Sequence, residues 1–411
     1  MNKLHAGRAL TDAFEQYHAG MQDTLAPLID QIQAANAAKA PLRIRGGGSK
    51  DFYGEPFDPA LPILDTRNHS GIVSYEPSEL VITAKAGTPL RELEAVLAEK
   101  RQSLAFEPPH YLGFSAPVAA PPDATVGGMV AAGLAGPARA CVGGARDYVL
   151  GAHLVNGKAE LLEFGGQVMK NVAGYDVSRA LAGSMGTLGL IAQVSLKVLP
   201  AAIAEATLRF EMDEATAIRR CNEWAGQPLP LNASSWVIDQ SVPTLYLRLR
   251  GAVAAVESAC QRLSKDESGV RMDSPETLAD WSAARDLQLP WFKEGFARGD
   301  DLWRLSVPQT TAPLGLGETM IDWLGGQRWL FTPALERNMQ AQHLRERVAQ
   351  VNGSAMLFVA SNAYSMPAIG RKDVKIEHFA APAAQLVHIH HRLKTEFDPA
   401  GIFNPGRLGV I

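Results

Sequence analysis

At 411 residues, with 46% hydrophobic and 20% charged positions, 37 glycines and 26 prolines, the chain is long enough for two cores and rich in tight turns. A formal net charge of −4 and a pI near 6.2, with no long run of Lys or Arg, exclude a nucleic-acid-binding surface as its organising feature. Apolar stretches such as Met129 to Leu134 fall well short of the ~20 residues a membrane helix needs, and Met1 to His5 lacks the apolar core of a secretion signal. A cytoplasmic protein is expected, at most peripheral to the inner membrane.

Residues 1–40 read as a helical segment, because Leu25, Leu28, Ile29 and Ile32 recur at helical spacing. Pro41 to Arg45 alternates as a short strand that stops at Gly46-Gly47-Gly48. Leu80 to Ala84 is a second strand, followed by Thr88-Pro89 as N-cap and first turn of a helix over Leu90 to Lys100. Thr125 to Gly133 is built from small residues and permits close approach of backbone to another surface. Asn156-Gly157 predicts a two-residue hairpin turn between Gly151 to Val155 and Lys158 to Phe164. An alternating strand then ends at Pro200, which marks a boundary. All seven tryptophans follow it, so 201–382 reads as a separate α+β core, and 383–411 as a closing helix and turn.

Consecutive glycines after a strand can turn several N–H groups toward phosphate oxygens, with Ser49 and Lys50 adding a donor and a charge. The same glycines equally serve a loop that simply requires positive φ. The segment is neither a Rossmann fingerprint nor a Walker loop. Glycine-rich stretches at 125–136 and 183–189 have two readings of equal weight, an extended ligand lying along bare backbone or close helix-to-sheet packing. Cys141, Cys221 and Cys260 stand too far apart in sequence for a zinc or iron–sulfur motif. His388, His390 and His391 read as a polar helix face, since 390 points away from the other two and no third ligand is evident. No metal site is expected.

Five ordered segments resemble the FAD-linked oxidases of the vanillyl-alcohol oxidase type: Arg45 to Gly54, Ala124 to Gly128, Met169 to Arg179, Gly183 to Gly189 and Phe397 to Arg407. Glu107 to Tyr111, Gly133 to Pro137 and Trp303-Arg304-Leu305 add a likeness to the FAD-binding subunits of bacterial glycolate oxidases. The resemblance implies an α+β fold, a PCMH-type FAD-binding domain of two α+β subdomains over 41–200 with a second α+β cap domain over 201–382, and a C-terminal segment returning to the flavin domain. It implies non-covalent FAD, because the first loop carries Ser49 and Asp51 where covalent members carry a linking residue. The implied cofactor-binding residues are Arg45, Gly46, Gly47, Gly48, Ser49, Lys50 and Asp51, then Thr125, Val126, Gly127 and Gly128, then Gly143, Ala145 and Asp147, with Gly189 and Ile191 at the adenine end and Asn404 near the flavin.

Oxidation of a 2-hydroxy acid needs a base for the hydroxyl proton and a cation for the carboxylate. Lys170, Arg179 and Arg407 are the candidate cations, and His110 and His388 the candidate bases. The histidine- and aspartate-rich metal signature of the related larger subunits does not occur here. The expected role is a glycolate dehydrogenase subunit that works with a larger FAD-binding subunit and an iron–sulfur subunit. The alternatives are a flavin relay or assembly subunit of the same complex, or a stand-alone FAD oxidase of another alcohol or hydroxy acid.

Overall fold

The computed structural model describes residues 24–112, 123–166, 176–272, 275–361 and 377–409. Helix α1, residues 24–38, buries Leu25, Leu28, Ile32 and Ala35 against β1 and the C-terminal turn. Strand β1 (Arg43–Arg45) pairs in parallel with β2 (Ile63–Asp65), forming a small unit on which the glycine loop hangs.

Beyond it lies a five-stranded antiparallel sheet in the order β3 (Ile72–Glu76), β4 (Val81–Lys85), β8 (Leu190–Lys197), β6 (Val149–Val155), β7 (Leu161–Gly165). The central strand β8, Leu-Ile-Ala-Gln-Val-Ser-Leu-Lys, is buried on both faces, and the hydroxyls of Thr83 and Ser195 satisfy each other at 2.8 Å inside the sheet. Helix α2 (Leu90–Glu99) presents Leu90, Leu93 and Leu97 to this core, each fully buried and each contributing about 1.5–3 kcal/mol. A two-stranded pair, β5 (Gln102–Ser103) with β9 (Leu199–Pro200), closes the domain edge. Helix α3 (Val126–Ala132) packs so closely that a Cβ on Gly127 would stand 2.6 Å from that of Ala86.

Two local expectations are corrected. Thr88 is not the N-cap of α2: Pro89 occupies that position, and the Thr88 hydroxyl lies 2.7 Å from the Lys85 carbonyl and accepts from the Gly71 N–H, so it ties two turns together. Asn156-Gly157 does not form a two-residue turn. The connection spans residues 156–160, since the Asn156 Oδ1 accepts from both the Lys158 and Glu160 N–H groups. Gly157 instead admits the end of the C-terminal helix: its N–H donates to the Phe397 carbonyl, and a Cβ there would meet Asp398 at 2.5 Å.

The second half builds an eight-stranded antiparallel sheet in the order Val270–Met272, Ala204–Glu211, Val242–Gly251, Leu231–Asp239, Thr319–Asp322, Gln327–Thr332, Asp301–Ser306, Ser354–Val359. Its tryptophans supply both apolar bulk and anchored polar edges: Trp236 donates to the Met212 carbonyl, Trp281 to Thr207, Trp303 to Thr332 and Trp329 to Asp322. The C-terminal helix (Ala384–Phe397) stops at Asp398, whose carboxylate accepts from the Ile402 and Phe403 N–H groups and pairs with Lys394 at 2.6 Å. The turn so held bridges Phe403 to Leu42, back beside β1.

The halves meet through an ionic and aromatic seam. The Glu107 carboxylate receives Arg248 at 2.7 Å, Arg250 at 2.8 Å and the Ala138 N–H at 3.1 Å. Trp323 donates to the Gly136 carbonyl, and Phe52, Tyr53 and Tyr111 pack edge-on or tilted against Phe358.

Candidate functional site

The glycine loop follows β1 because three residues without Cβ are the chemistry its surroundings admit. A Cβ on Gly46 would lie 2.3 Å from the Thr125 Oγ1, and one on Gly47 1.5 Å from the Asp123 carbonyl oxygen. Gly48 takes φ +79°, a left-handed conformation costly for other residues. The loop therefore lies directly on the segment that starts α3, where Thr125 caps the helix by accepting from the Gly128 N–H at 3.3 Å. The backbone N–H groups of Gly46, Gly47 and Ser49 donate to none of the described residues. Together the two segments wall a cleft with about 530 Å³ of empty space, lined by Ile44 to Asp51, Phe57, Asp123, Thr125, Gly128, Ala131, Ala132, Met185, Asn404 and Arg407. A contiguous cleft of about 400 Å³ continues past Gly127, Gly128 and Met185 to Gly189, Leu190 and Ile191.

Positive charge gathers under this loop. Arg43 and Arg45 both pair with Asp51, at 2.6 and 2.8 Å, and Arg43 and Arg407 both stack on the Phe57 ring, 3.9 and 3.8 Å from its centre. Burial pushes Arg407 down to about 9, against the pull of Asp51 and with the help of Arg43. Its guanidinium donates to the Lys50, Asp51 and Glu55 carbonyls, so it clamps the loop from beneath. Burial likewise brings Lys50 from 10.5 to about 8, with Asp286 opposing. Bare N–H groups, a backbone cradle that any Cβ would fill, and surplus cations fit the pyrophosphate of a dinucleotide.

A further cleft, of about 820 Å³, opens between the halves and is lined by Tyr53, Gly133, Leu134, Ala135, Arg139, Ala140, Arg304, Ser306, Val307, Gln309, Trp323 and Gly326. Helix α3 connects the two regions. Its N-terminal Thr125 and Gly128 line the first cleft and its left-handed C-cap, Gly133 at φ +63°, lines this one. Arg139 opens the short helix α4 (Arg139–Val142) and sits 4.7 Å from the centre of the Trp323 ring, while Arg304 projects from the strand Asp301–Ser306 of the cap.

The sequence-derived site residues are distributed unevenly over this geometry. Arg45 to Asp51, Thr125, Gly127, Gly128, Gly189, Ile191 and Asn404 line the first two clefts. Val126 is fully buried beneath them. Asn404 locks the C-terminal turn to the loop: its Oδ1 accepts from the Ile44 N–H at 2.8 Å and its Nδ2 donates to the Met185 carbonyl at 2.7 Å. Gly143, Ala145 and Asp147 line none of the three clefts; Asp147 instead reaches back from the first turn of a short helix to accept from the N–H of its N-cap, Gly144.

Of the catalytic candidates, Lys170 lies outside the described residues. Arg179 pairs with Asp176 at 2.9 Å with 40% of its side chain exposed, and lines none of the three clefts. The His110 Nε2 lies 2.9 Å from Glu94, and its backbone N–H donates to the Asp286 carboxylate, which places it in the seam rather than facing the clefts. His388 is on the exposed side of the C-terminal helix. Nothing in either local sequence signals that Arg139 and Arg304 line one cleft between the halves. Among the described residues no group of three His, Cys, Asp or Glu could hold a metal ion, and no helix is long and apolar enough to cross a membrane.

Comparison with known proteins agrees with this architecture. Residues 23–165 match the FAD binding domain family. The fold resembles that of alkyldihydroxyacetonephosphate synthase, with a TM-score of 0.63 at 14% identity over 92% of this chain and 74% of that one. Glycolate oxidase subunit GlcD of Bacillus subtilis is 28% identical over 50% of this chain and 43% of its own length, and D-lactate dehydrogenase of Archaeoglobus fulgidus is 31% identical over 41% and 35%. Glycolate oxidase subunit GlcE of Escherichia coli is 39% identical over 93% of this chain and 96% of its own. The chain is an FAD-binding protein of PCMH-type fold, and it belongs to the family of the glycolate oxidase subunit GlcE, within the FAD-linked oxidoreductases.

Proposed function

We propose that this chain is the smaller flavin subunit of a glycolate oxidase and takes part in oxidising glycolate to glyoxylate. The observation that carries the reading is α3. This helix of small residues runs from the phosphate cradle to the cleft between flavin domain and cap, a span of ~10 Å at 1.5 Å per residue. Gly46, Gly47 and Ser49 would hold the FAD pyrophosphate through backbone N–H groups, with Arg45, Lys50 and Arg407 offsetting its charge and Gly189 and Ile191 accepting the adenine end. Bound FAD supplies a two-electron acceptor able to take a hydride from a carbinol carbon. The chain's part is to fix that acceptor, through the Arg407 clamp and the Asn404 tie, and to close the far end with the cap.

Attachment is read as non-covalent, because the loop offers Ser49 and Asp51, and Asp51 is already held by Arg43 and Arg45. The partners in this reading are a larger flavin subunit, in keeping with the likeness to GlcD, and an iron–sulfur subunit that carries electrons onward. Cys221 and Cys260 are buried in the cap core and Cys141 is exposed. A second reading, flavin relay or assembly, is favoured by one observation: His110 is engaged by Glu94 rather than turned to a cleft. Anaerobic addition of glycolate to the purified flavin-loaded chain separates the two. Bleaching of the oxidised-flavin band supports dehydrogenation here, whereas a flavin reducible only by dithionite refutes it in favour of the relay.

A further inference from the structure

The cleft between the domains is lined by two cations that have no acid partner among the described residues. Resting on the reading above, we infer that Arg139 and Arg304 together form a binding site for the carboxylate of a small organic acid, clamped between flavin domain and cap. Neither guanidinium has a carboxylate partner among the described residues. The Arg304 Nε is buried with no hydrogen-bond partner, and its Nη2 meets only the sulfur of Met356, at 3.1 Å. A buried N–H donor left unmade is costly, and the residue that carries it lines the cleft.

The neighbouring cations show the contrast. Arg248 and Arg250 lie on the same seam, and the chain meets both with Glu107 and adds Glu205 to Arg250. At these two positions the sequence supplies the acid. Arg139 and Arg304 instead oppose each other: withdrawal from water pushes Arg139 below its usual value, Arg304 adds to that, and only Asp147 pulls the other way. An anion between them removes this repulsion.

The form of the pair selects the anion. Arg139 sits over the Trp323 ring at 4.7 Å from its centre, and Arg304 over the Phe358 ring at 5.1 Å. Two planar forks held by ring faces suit a planar carboxylate. Ser306 and Gln309 on the same wall provide neutral hydrogen-bonding groups for a hydroxyl, and Tyr53, Leu134 and Val307 keep the rest of the cleft apolar. Because one arginine comes from each domain, the ligand also ties the cap to the flavin domain.

The test uses the flavin-loaded chain and oxalate, which carries carboxylates but has no carbinol hydrogen to give up, so binding is read separately from turnover. Calorimetric titration is expected to show saturable binding that weakens roughly 10- to 100-fold in Arg304→Gln and in Arg139→Gln, the scale of one charge-assisted hydrogen bond. Arg304→Lys, which keeps charge but not the fork, should fall between, and its flavin absorbance reports whether the fold is intact. Absence of oxalate binding in the unaltered chain, or binding indifferent to both arginines, overturns the proposal. Inorganic phosphate binding tighter than oxalate and lost in the same variants overturns the carboxylate class. Oxalate binding that depends on both arginines, in a chain whose flavin glycolate does not bleach, upholds the site while removing the dehydrogenase reading.

Discussion

Replacing Gly47 with alanine tests the phosphate cradle directly. The added Cβ would stand 1.5 Å from the Asp123 carbonyl oxygen, and since a non-bonded contact settles near ~3.5 Å, loop or neighbour must retreat by about 2 Å. Hydrogen bonds tolerate only a few tenths of an ångström around about 2.9 Å, so the N–H groups of Gly46 and Gly47 would no longer reach one pyrophosphate together. Loss of two hydrogen bonds to a charged acceptor costs about 3–6 kcal/mol, roughly a 10²- to 10⁴-fold rise in the FAD dissociation constant. The assay is flavin content of the purified chain, followed by FAD titration of the apoprotein through quenching of flavin fluorescence. Gly226→Ala is the control, because its Cβ would make an ordinary contact of 3.6 Å with the Glu223 carbonyl at the end of a cap helix, and it should retain wild-type flavin. A folded Gly47→Ala chain that binds FAD with unchanged affinity would refute the assignment of this loop.

The domain seam and the loop lysine carry the remaining predictions. Glu107→Gln leaves Arg248, a nearly buried guanidinium, beside a neutral group and should destabilise the chain by about 3–5 kcal/mol in urea unfolding. Burial alone would raise the Glu107 carboxyl, but Arg248 and then Arg250 outweigh it and hold the group below its usual value. Its stabilising contribution is therefore complete above the unfolded value and lost as pH falls through the folded one, so an acid transition present in the parent and missing from Glu107→Gln is the expected signature. Lys50, brought down to about 8, is mostly charged at neutral pH. An anionic ligand raises its pKa, so FAD affinity should fall as pH climbs from 7 to 9 in the parent and stay flat in Lys50→Met. In the apoprotein the sign is opposite: the folded chain binds fewer protons than the unfolded one between about pH 8 and 10.5, and Lys50 contributes more favourably as pH rises through that window.

Local chemistry made much of this protein legible from its residues. Gly46-Gly47-Gly48 after an alternating strand announces a bare-backbone loop, and the loop does line the first cleft, because glycine's freedom is a property of the residue itself. Leu90, Leu93 and Leu97 lie on one helical face whatever they pack against, and β8 reads as a strand from its own alternation, although it ends at Lys197 and Pro200 belongs to β9. Thr88 and Asn156-Gly157 were misread where distant partners claimed them: Gly71 binds the hydroxyl of one, and the end of the C-terminal helix presses on the other. His110 carries no mark of its bond to Glu94, which the fold creates by bringing a loop against α2. The same holds for Asn404, which reaches across 360 residues to Ile44, and for Arg139 and Arg304, which line one cleft only because the cap folds over the flavin domain. Backbone permissiveness and hydrophobic periodicity are written residue by residue, so sequence alone determined where the main helices, strands and the bare-backbone loop fall. Charge pairing and cleft formation depend on distances between elements remote in the chain, and only the tertiary structure decided which cations are clamps, which are paired, and which two line the cleft with no acid partner among the described residues.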